Sequence, residues 1–324
     1  MEKNKNLNIL APQINLLVAL NLQAFAAGEN NDLPARRFEK QFKDTLDTVY
    51  NHKAYFGDMS AGGIETLDGV SNNATAFSVK TSDIPVTIGA YSTGANVGFG
   101  TGTFNTGRFG PATEIIYIDT DVPYDGPWAF NEGIDRHTVN NDFEATIADR
   151  LVLQARAVTR RLDMAASAAL KAAADSNGLV VPLTAYTDAA IITLFNAISA
   201  RMIDLEVDTT DVVAKVDAQL YNSIVNGTLT TTNKNSTVNI DANGVTRFKG
   251  IIIEGVPAAL MPSGSAAIVY PRNLGKVFTG ISTTRSIETD KIDGVYLQGD
   301  GKYGTFILED NKKAVIDVTA PVGP

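Results

Sequence analysis

Residues 143–173 set the tightest limit on how this chain can fold. Phe143, Ile147, Leu151, Val158, Leu162, Ala165, Ala169 and Ala173 fall on one helical face. Asn140 or Asn141 offers an N-cap side chain, and Asp142 and Glu144 sit where the helix dipole is positive. Gly178 ends the run. A helix of about thirty residues is about 45 Å long, more than about twice the usual globular length. The apolar positions do not keep a heptad, so a coiled coil is not favoured.

The segment before it has the opposite character. Residues 34–56 read as an amphipathic helix, with Phe38, Phe42, Leu46 and Val49 on one face and Gly57 as its stop. From 57 to 110 Gly, Ser, Thr, Asn and Ala dominate. Short alternations, Phe77-Ser78-Val79-Lys80 and Ile84-Pro85-Val86-Thr87-Ile88, predict strands with one buried face. Gly94, Gly98, Gly100, Gly102, Gly107 and Gly110 then mark a stretch that permits close backbone approach. So few large apolar groups cannot offset the ordering entropy of some fifty residues on their own. The segment is either a long extended loop or one that gains order from another subunit.

Beyond the long helix the pattern becomes α+β. Glu114-Ile115-Ile116-Tyr117-Ile118-Asp119 predicts a strand before it, with Pro123, Gly126 and Pro127 making the following turn. After Pro182, Thr187 or Asp188 caps a second helix carrying Leu194, Ile198, Met202 and Leu205 on one face. Residues 211–216 predict a buried strand and 218–225 a short helix. Residues 227–244 are rich in Thr and Asn and end in the turn signal Asp241-Ala242-Asn243-Gly244. Further strands are expected at 247–256, 266–270, 295–298, 305–308 and 314–318. No internal repeat of fixed period is present.

Composition removes several chemistries. The 324 residues contain no cysteine, which excludes disulfides, thiolate catalysis and cysteine-bound zinc or iron–sulfur centres. The two histidines, His52 and His137, stand far apart in sequence and suit structural roles better than a His-based site. A net charge of −9 argues against a dedicated nucleic-acid-binding domain. Only 19% of residues are charged, and one explanation is a surface that ends against other copies of the chain.

No catalytic motif survives inspection. Gly275-Lys276 is followed by Val277 and Gly301-Lys302 by Tyr303, so neither makes a phosphate-cradling P-loop. Gly98-Phe99-Gly100-Thr101-Gly102 lacks the third dinucleotide glycine. Asp119, Asp121 and Asp125 crowd together, but Pro123 and Tyr124 spoil a calcium-loop spacing and an acidic turn is the simpler reading. Arg156, Arg160 and Arg161 form a basic patch on the long helix, read as solvent or subunit ion pairs in preference to a nucleic-acid face. Trp128 reads as a packing anchor. No catalytic, cofactor-binding or metal-binding residue is assigned, no cofactor is expected, and the chain is not expected to be an enzyme.

The N-terminal residues have the outline of a secretory signal: Lys3 and Lys5, the apolar run 14–20, and Ala24-Phe25-Ala26. Asn15, Asn21 and Gln23 interrupt it, which favours an N-terminal arm that docks on a neighbour. No run of about 18 apolar residues predicts a membrane span.

The order of these parts resembles the major capsid protein of tailed bacteriophages, the Hong Kong 97 fold. Val212-Val213-Ala214-Lys215-Val216-Asp217-Ala218-Gln219-Leu220-Tyr221 is similar to that family's axial-domain strand and short helix. Arg247–Pro257 with Met261-Pro262-Ser263-Gly264 is similar to a stretch near the capsomer axis, and 295–299 with 314–316 to its closing strand pair. The resemblance implies an α+β Hong Kong 97-like capsid fold. It implies an N-terminal arm with an amphipathic helix over 1–57, an E-loop over 58–112, and a peripheral domain with the spine helix over 113–180. An axial domain over 181–293 and closing strands over 294–324 complete it. It implies hexamers and pentamers of an icosahedral shell around double-stranded DNA, held without sequence-specific contact. Expected partners are the chain itself, a separate scaffolding protein (the arm begins almost at Met1) and a portal, with no membrane. The expected location is the virion, assembled in the host cytoplasm. Family members that cross-link a lysine to a neighbour's asparagine offer no match here, since Lys80 has no identifiable acceptor. An encapsulin-type nanocompartment shares the fold and remains the alternative, and a secreted surface or adhesion protein is a third reading.

Overall fold

The computed structural model describes residues 54–67, 75–82, 84–95, 97–98, 107–138, 143–227, 247–288 and 290–321. The amphipathic helix expected over 34–56, the N-cap at Asn140 or Asn141, His52 and the Asp241–Gly244 turn lie outside them, Ala54-Tyr55-Phe56 excepted. The chain divides into two units, residues 1–72 with 124–324, and Asn73–Pro123.

The larger unit is organised by helix α1 (Phe143–Ser176), as its sequence requires. Its buried face is Ile147, Leu151, Ala155, Val158, Leu162, Ala166, Leu170 and Ala173. In the second half this face runs one residue later than the expected Ala165 and Ala169, which are half-buried. Small alanines on either side give no hydrophobic cue to the exact angle. Gly178 ends the helix at φ +64, a left-handed conformation that costs glycine little.

A four-stranded sheet shares a core with α1. Its order is β1 (Glu65–Leu67), β10 (Gly275–Glu288), β11 (Gly294–Ile307), β4 (Gly126–Asp135). β1 runs parallel to β10, and β10–β11 and β11–β4 are antiparallel. Trp128, Val277, Ile281, Val295, Leu297 and Ile307 from the sheet meet Leu151, Leu162 and Leu170 from the helix in one hydrophobic cluster.

Two expectations fail on this sheet, and one of its longest strands was not expected. The turn at Pro123, Gly126 and Pro127 is only the pair Tyr124–Asp125, and Gly126 and Pro127 open strand β4. β10 has no counterpart in the reading, because Thr, Ser and Gly fill it and leave no apolar alternation. The two strands expected at 295–298 and 305–308 are one strand of 14 residues. Glycines do not break β11; they admit rings. A Cβ on Gly299 would stand 2.2 Å from the Phe130 ring, and one on Gly301 2.5 Å from that of Trp128. Gly304 gives the same room to Phe278.

A second cluster forms around a six-stranded mixed sheet. Its order is β5 (Val180–Pro182), β12 (Ile316–Thr319), β9 (Ser265–Pro271), β6 (Val212–Val216), β8 (Ile251–Gly255), β7 (Arg247–Phe248). Helix α2 (Asp188–Asp204) buries Ile191, Leu194, Phe195, Ile198 and Met202 against it. Helix α3 (Ala218–Asn226) adds Leu220 and Ile224, and Asp217 caps it by accepting the Leu220 N–H at 2.6 Å. The expected strand 247–256 is two strands, reversed at Lys249 (φ +52) and Gly250 (φ +87). A one-turn helix α4 (Glu309–Lys312) precedes β12.

The smaller unit is a two-stranded antiparallel ribbon of β2 (Thr75–Thr81) and β3 (Ile118–Pro123) with extended chain beyond it. Strand pairing begins only at Ile118, so Glu114–Tyr117 are extended but unpaired, and Ile84–Ile88 form no strand. Apolar character gives these segments a tendency without a partner to satisfy it.

Candidate functional site

The smaller unit leaves most of its described large apolar side chains exposed. Among the described residues fourteen large apolar side chains are exposed, and eight of them lie in this unit. Val86 is 88% exposed, Ile88 94% and Phe109 86%. Ile115, Ile116, Tyr117 and Ile118 are consecutive and all more than half exposed. Val122 is the unit's one buried large apolar residue among those described. Beyond its strand pairing, the Ser92 N–H donates to the Arg108 carbonyl at 2.9 Å, Arg108 donates back at 3.1 Å, and Tyr91 meets Phe109 edge-on at 5.1 Å. A run of four exposed apolar residues is the kind of surface that marks an interaction site or an aggregation hazard. The sequence foresaw a segment unable to hold a core. It did not foresee that 115–117 would face water, because an apolar run reads as buried.

The three aspartates of the suspected cation turn go separate ways. Asp119 stands 3.7 Å from Lys80, Asp121 accepts from the Ser78 hydroxyl, and Asp125 accepts from the Thr305 amide at 2.8 Å and hydroxyl at 2.9 Å. Among the described residues no three acidic or histidine side chains gather to hold a metal. Arg161 lies over the Tyr303 ring at 5.4 Å. Arg156 and Arg160 are exposed and meet no acidic partner among the described residues. His137 is exposed, with Nε2 3.5 Å from Asp293. Trp128 is buried, its indole N–H donating to Thr279 at 3.0 Å. Gly275-Lys276 and Gly301-Lys302 lie inside β10 and β11, where no phosphate loop exists.

The larger unit contains a charged junction that the sequence hinted at only through a lysine inside an apolar strand. Lys215 of β6 is 1% exposed. It pairs with Asp58 at 2.9 Å and with Glu254 of β8. Arg272 reaches Glu254 at 3.3 Å and Asp58 at 3.9 Å. The Tyr270 hydroxyl donates to Asp58 at 2.7 Å, and burial, with the Asp58 charge added, pushes that phenol well above its ordinary value. Asp163 of α1 accepts the N–H groups of Phe56 at 2.9 Å and Tyr55 at 3.1 Å. Desolvation raises its carboxyl to about 6, although both N–H bonds and Lys215 pull the other way.

Two further ion pairs tie α1 to the sheets, one to a buried carboxylate and one half exposed. Lys171 donates to Asp317 of β12 at 2.7 Å, and Asp317 is fully buried. Arg150 and Gln154 hydrogen-bond Glu132 of β4. Desolvation pushes the Glu132 carboxyl up, but those hydrogen bonds outweigh it and hold it below the usual range.

No family model matches the chain, and no curated protein matches it. Solved structures do. The capsid structure of the cyanophage P-SCSP1u aligns at TM-score 0.61 and 13% identity, over 83% of this chain and 89% of that one. The asymmetric unit of the bacteriophage PhiM1 mature capsid aligns at 0.57 and 13%, over 84% and 89%. A structure from Microbacterium phage Oxtober96 aligns at 0.53 and 16%, over 79% and 89%. At such identities shape alone is shared, and it is shared over about four-fifths of the chain; this chain has the fold of the bacteriophage capsid proteins.

Proposed function

We propose that the chain is the major capsid protein of a tailed bacteriophage. It assembles with itself into hexamers and pentamers of an icosahedral shell that encloses double-stranded DNA. The observation that carries this reading is the smaller unit: four consecutive exposed apolar residues, Ile115–Ile118, on a ribbon without its own core. Such a surface gains order against a neighbouring copy. Repeated head-to-tail contacts of that kind close into rings, which are capsomers. The phage capsid structures of the same fold favour this assembly over other uses of such a surface.

The role is structural and no reaction is assigned to the chain. A separate scaffolding protein and a portal complete assembly in the host cytoplasm, and the finished protein resides in the virion. The net charge of −9 suits a wall that contains DNA without gripping it. No helix among the described residues is long and apolar enough to cross a membrane.

Negative-stain microscopy of the purified protein, with light scattering on the same sample, tests this reading. Closed shells tens of nanometres across, or isolated rings of five or six, are expected, on the order of many subunits per particle. Shells filled with protein cargo instead of DNA would replace the phage reading with a nanocompartment. A stable monomer at high concentration, with scaffold supplied, would overturn both.

A further inference from the structure

Helix α1 carries an outward stripe as well as a buried face. Leu153, Arg156, Ala157, Arg160, Met164 and Ala168 follow it at spacings of three and four, and all six are exposed. Leu153 is 39% exposed and Met164 49%. Among the described residues the larger unit exposes six large apolar side chains, and these are two of them. A third, Tyr55, stands beside the stripe, because its N–H donates to Asp163, the residue before Met164. A helix face meant for water carries polar residues at such positions.

The chain enters the larger unit at this stripe. Tyr55 and Phe56 donate their N–H groups to the two carboxylate oxygens of Asp163 at 3.1 and 2.9 Å, and Ala54 packs against the α1 cluster. Both N–H groups are spent on Asp163, so a helix in the chain before them ends by Ala54. Residues 34–53 carry the helical pattern Phe38, Phe42, Leu46 and Val49. A helix of that length is marginal in water and needs an apolar surface to lie on. Phe38 and Val49 are eleven residues apart, as are Leu153 and Met164, which is about 16 Å in either helix. Val49 precedes Ala54 by five residues, within reach of Met164. Towards the other end of α1 the outward positions are Ala168, Ala172 and Asp175, which offer no large apolar group.

We propose that residues 34–53 form an amphipathic helix that lies along the outward stripe of α1 in the same chain, with Val49 on Met164 and Phe38 on Leu153. The two helices then run in the same direction. Phe42 and Leu46 fill the span between, over Ala157 and the aliphatic stems of Arg156 and Arg160, whose guanidinium groups stay in water. The stripe thus belongs to the chain's own fold, unlike Ile115–Ile118, which is left for other copies. The inference goes beyond the capsid reading and does not rest on it.

The cysteine-free sequence allows a clean test by disulfide trapping. Two double variants of the full chain, Val49→Cys with Met164→Cys and Phe38→Cys with Leu153→Cys, are oxidised and resolved without reductant. Cysteines bridge only where their Cα atoms come within about 7 Å. Both pairs are expected to close within one chain, giving a faster-migrating monomer on a denaturing gel and a linked peptide in the tryptic mass spectrum. Phe38→Cys with Ser176→Cys should stay open, since Ser176 lies about 18 Å of helix beyond Met164. Closure of that pair in place of Phe38 with Leu153 would overturn the proposed direction. Failure of both expected pairs to close would overturn the docking. Links between two chains would give the stripe to a neighbour's arm, and an interchain link from Ile116→Cys to Met164→Cys would give it to a neighbour's exposed run; either overturns the proposal. Met164→Asp provides a readout without new bonds. It should make trypsin cleavage within 34–53 at least about tenfold faster while the denaturant midpoint of the larger unit holds, and an unchanged cleavage rate would also overturn the docking.

Discussion

Two antiparallel ribbons in this chain are built from similar residues and have opposite fates. β10–β11 has strands of 14 residues, β10 rich in Thr and Ser and β11 in Gly, and it buries Val277, Phe278, Ile281, Val295, Leu297 and Ile307. β2–β3 has strands of seven and six residues with a comparable share of Thr and Ser, and it buries Val122. The difference lies in what covers them. β10–β11 shares its core with α1, whereas β2–β3 belongs to a unit that contains no described helix. A strand's composition sets how well it pleats, and a neighbouring layer sets whether it is buried. The first ribbon supports the fold of the chain, and the second is available to something outside it.

The most drastic way to break this comparison is to remove the second ribbon. Thr75 and Pro123 are paired partners, so a short Gly–Ser linker can join them in place of 76–122. The larger unit should fold with its circular dichroism spectrum and cooperative melt intact, and shells should disappear from negative-stain fields. Normal shells from this variant would show that the exposed apolar run is not the assembly surface.

Inside the larger unit single changes should be costly. Lys171→Met leaves Asp317 fully buried without its cation, a loss of about 3–5 kcal/mol in denaturant unfolding. Leu162 is fully buried in the α1 cluster, and Leu162→Ala should cost about 2–5 kcal/mol. Both should lower the denaturant midpoint without first affecting the ribbon.

Gly299→Ala sharpens the contrast between the ribbons. In β11 the new methyl would meet the Phe130 ring at 2.2 Å, so about 1–3 kcal/mol of overpacking is expected. A gain of stability there would mean that the ring turns aside freely.

The smallest stability effect belongs to the exposed run. Ile116 is 56% exposed, and Ile116→Ser should change unfolding by less than about 0.5 kcal/mol. The same substitution should raise the protein concentration at which shells form, measured by light scattering. A large loss of monomer stability would place Ile116 in the chain's own core and end the comparison.

Much of the larger unit was legible because its signals were strong and local. The long helix announced itself through period and through Gly178, and β6 followed by α3 through a Val-rich run, Asp217 and Leu220. β4 and β10 were not legible. Their inward residues are interspersed with Gly, Thr, Pro and Asn, so neither period nor propensity distinguishes them from loop. The exposed surface was half legible: a glycine- and threonine-rich stretch without a core could be read, but the exposure of Ile115–Ile118 could not. The junction was least legible, since Asp58, Asp163, Lys215, Glu254 and Arg272 are spread over more than two hundred positions.

By itself the sequence determined the 34-residue helix, the α+β character of the second half and the absence of cysteine chemistry. Those follow from local periodicity and from composition, which need no knowledge of neighbours in space. Only the tertiary structure decided which strands pair, which glycines admit aromatic rings, and which charged side chains meet at the junction of Asp58, Lys215 and Glu254. Each of these depends on residues far apart in the chain meeting in a desolvated space, and no local pattern encodes who meets whom.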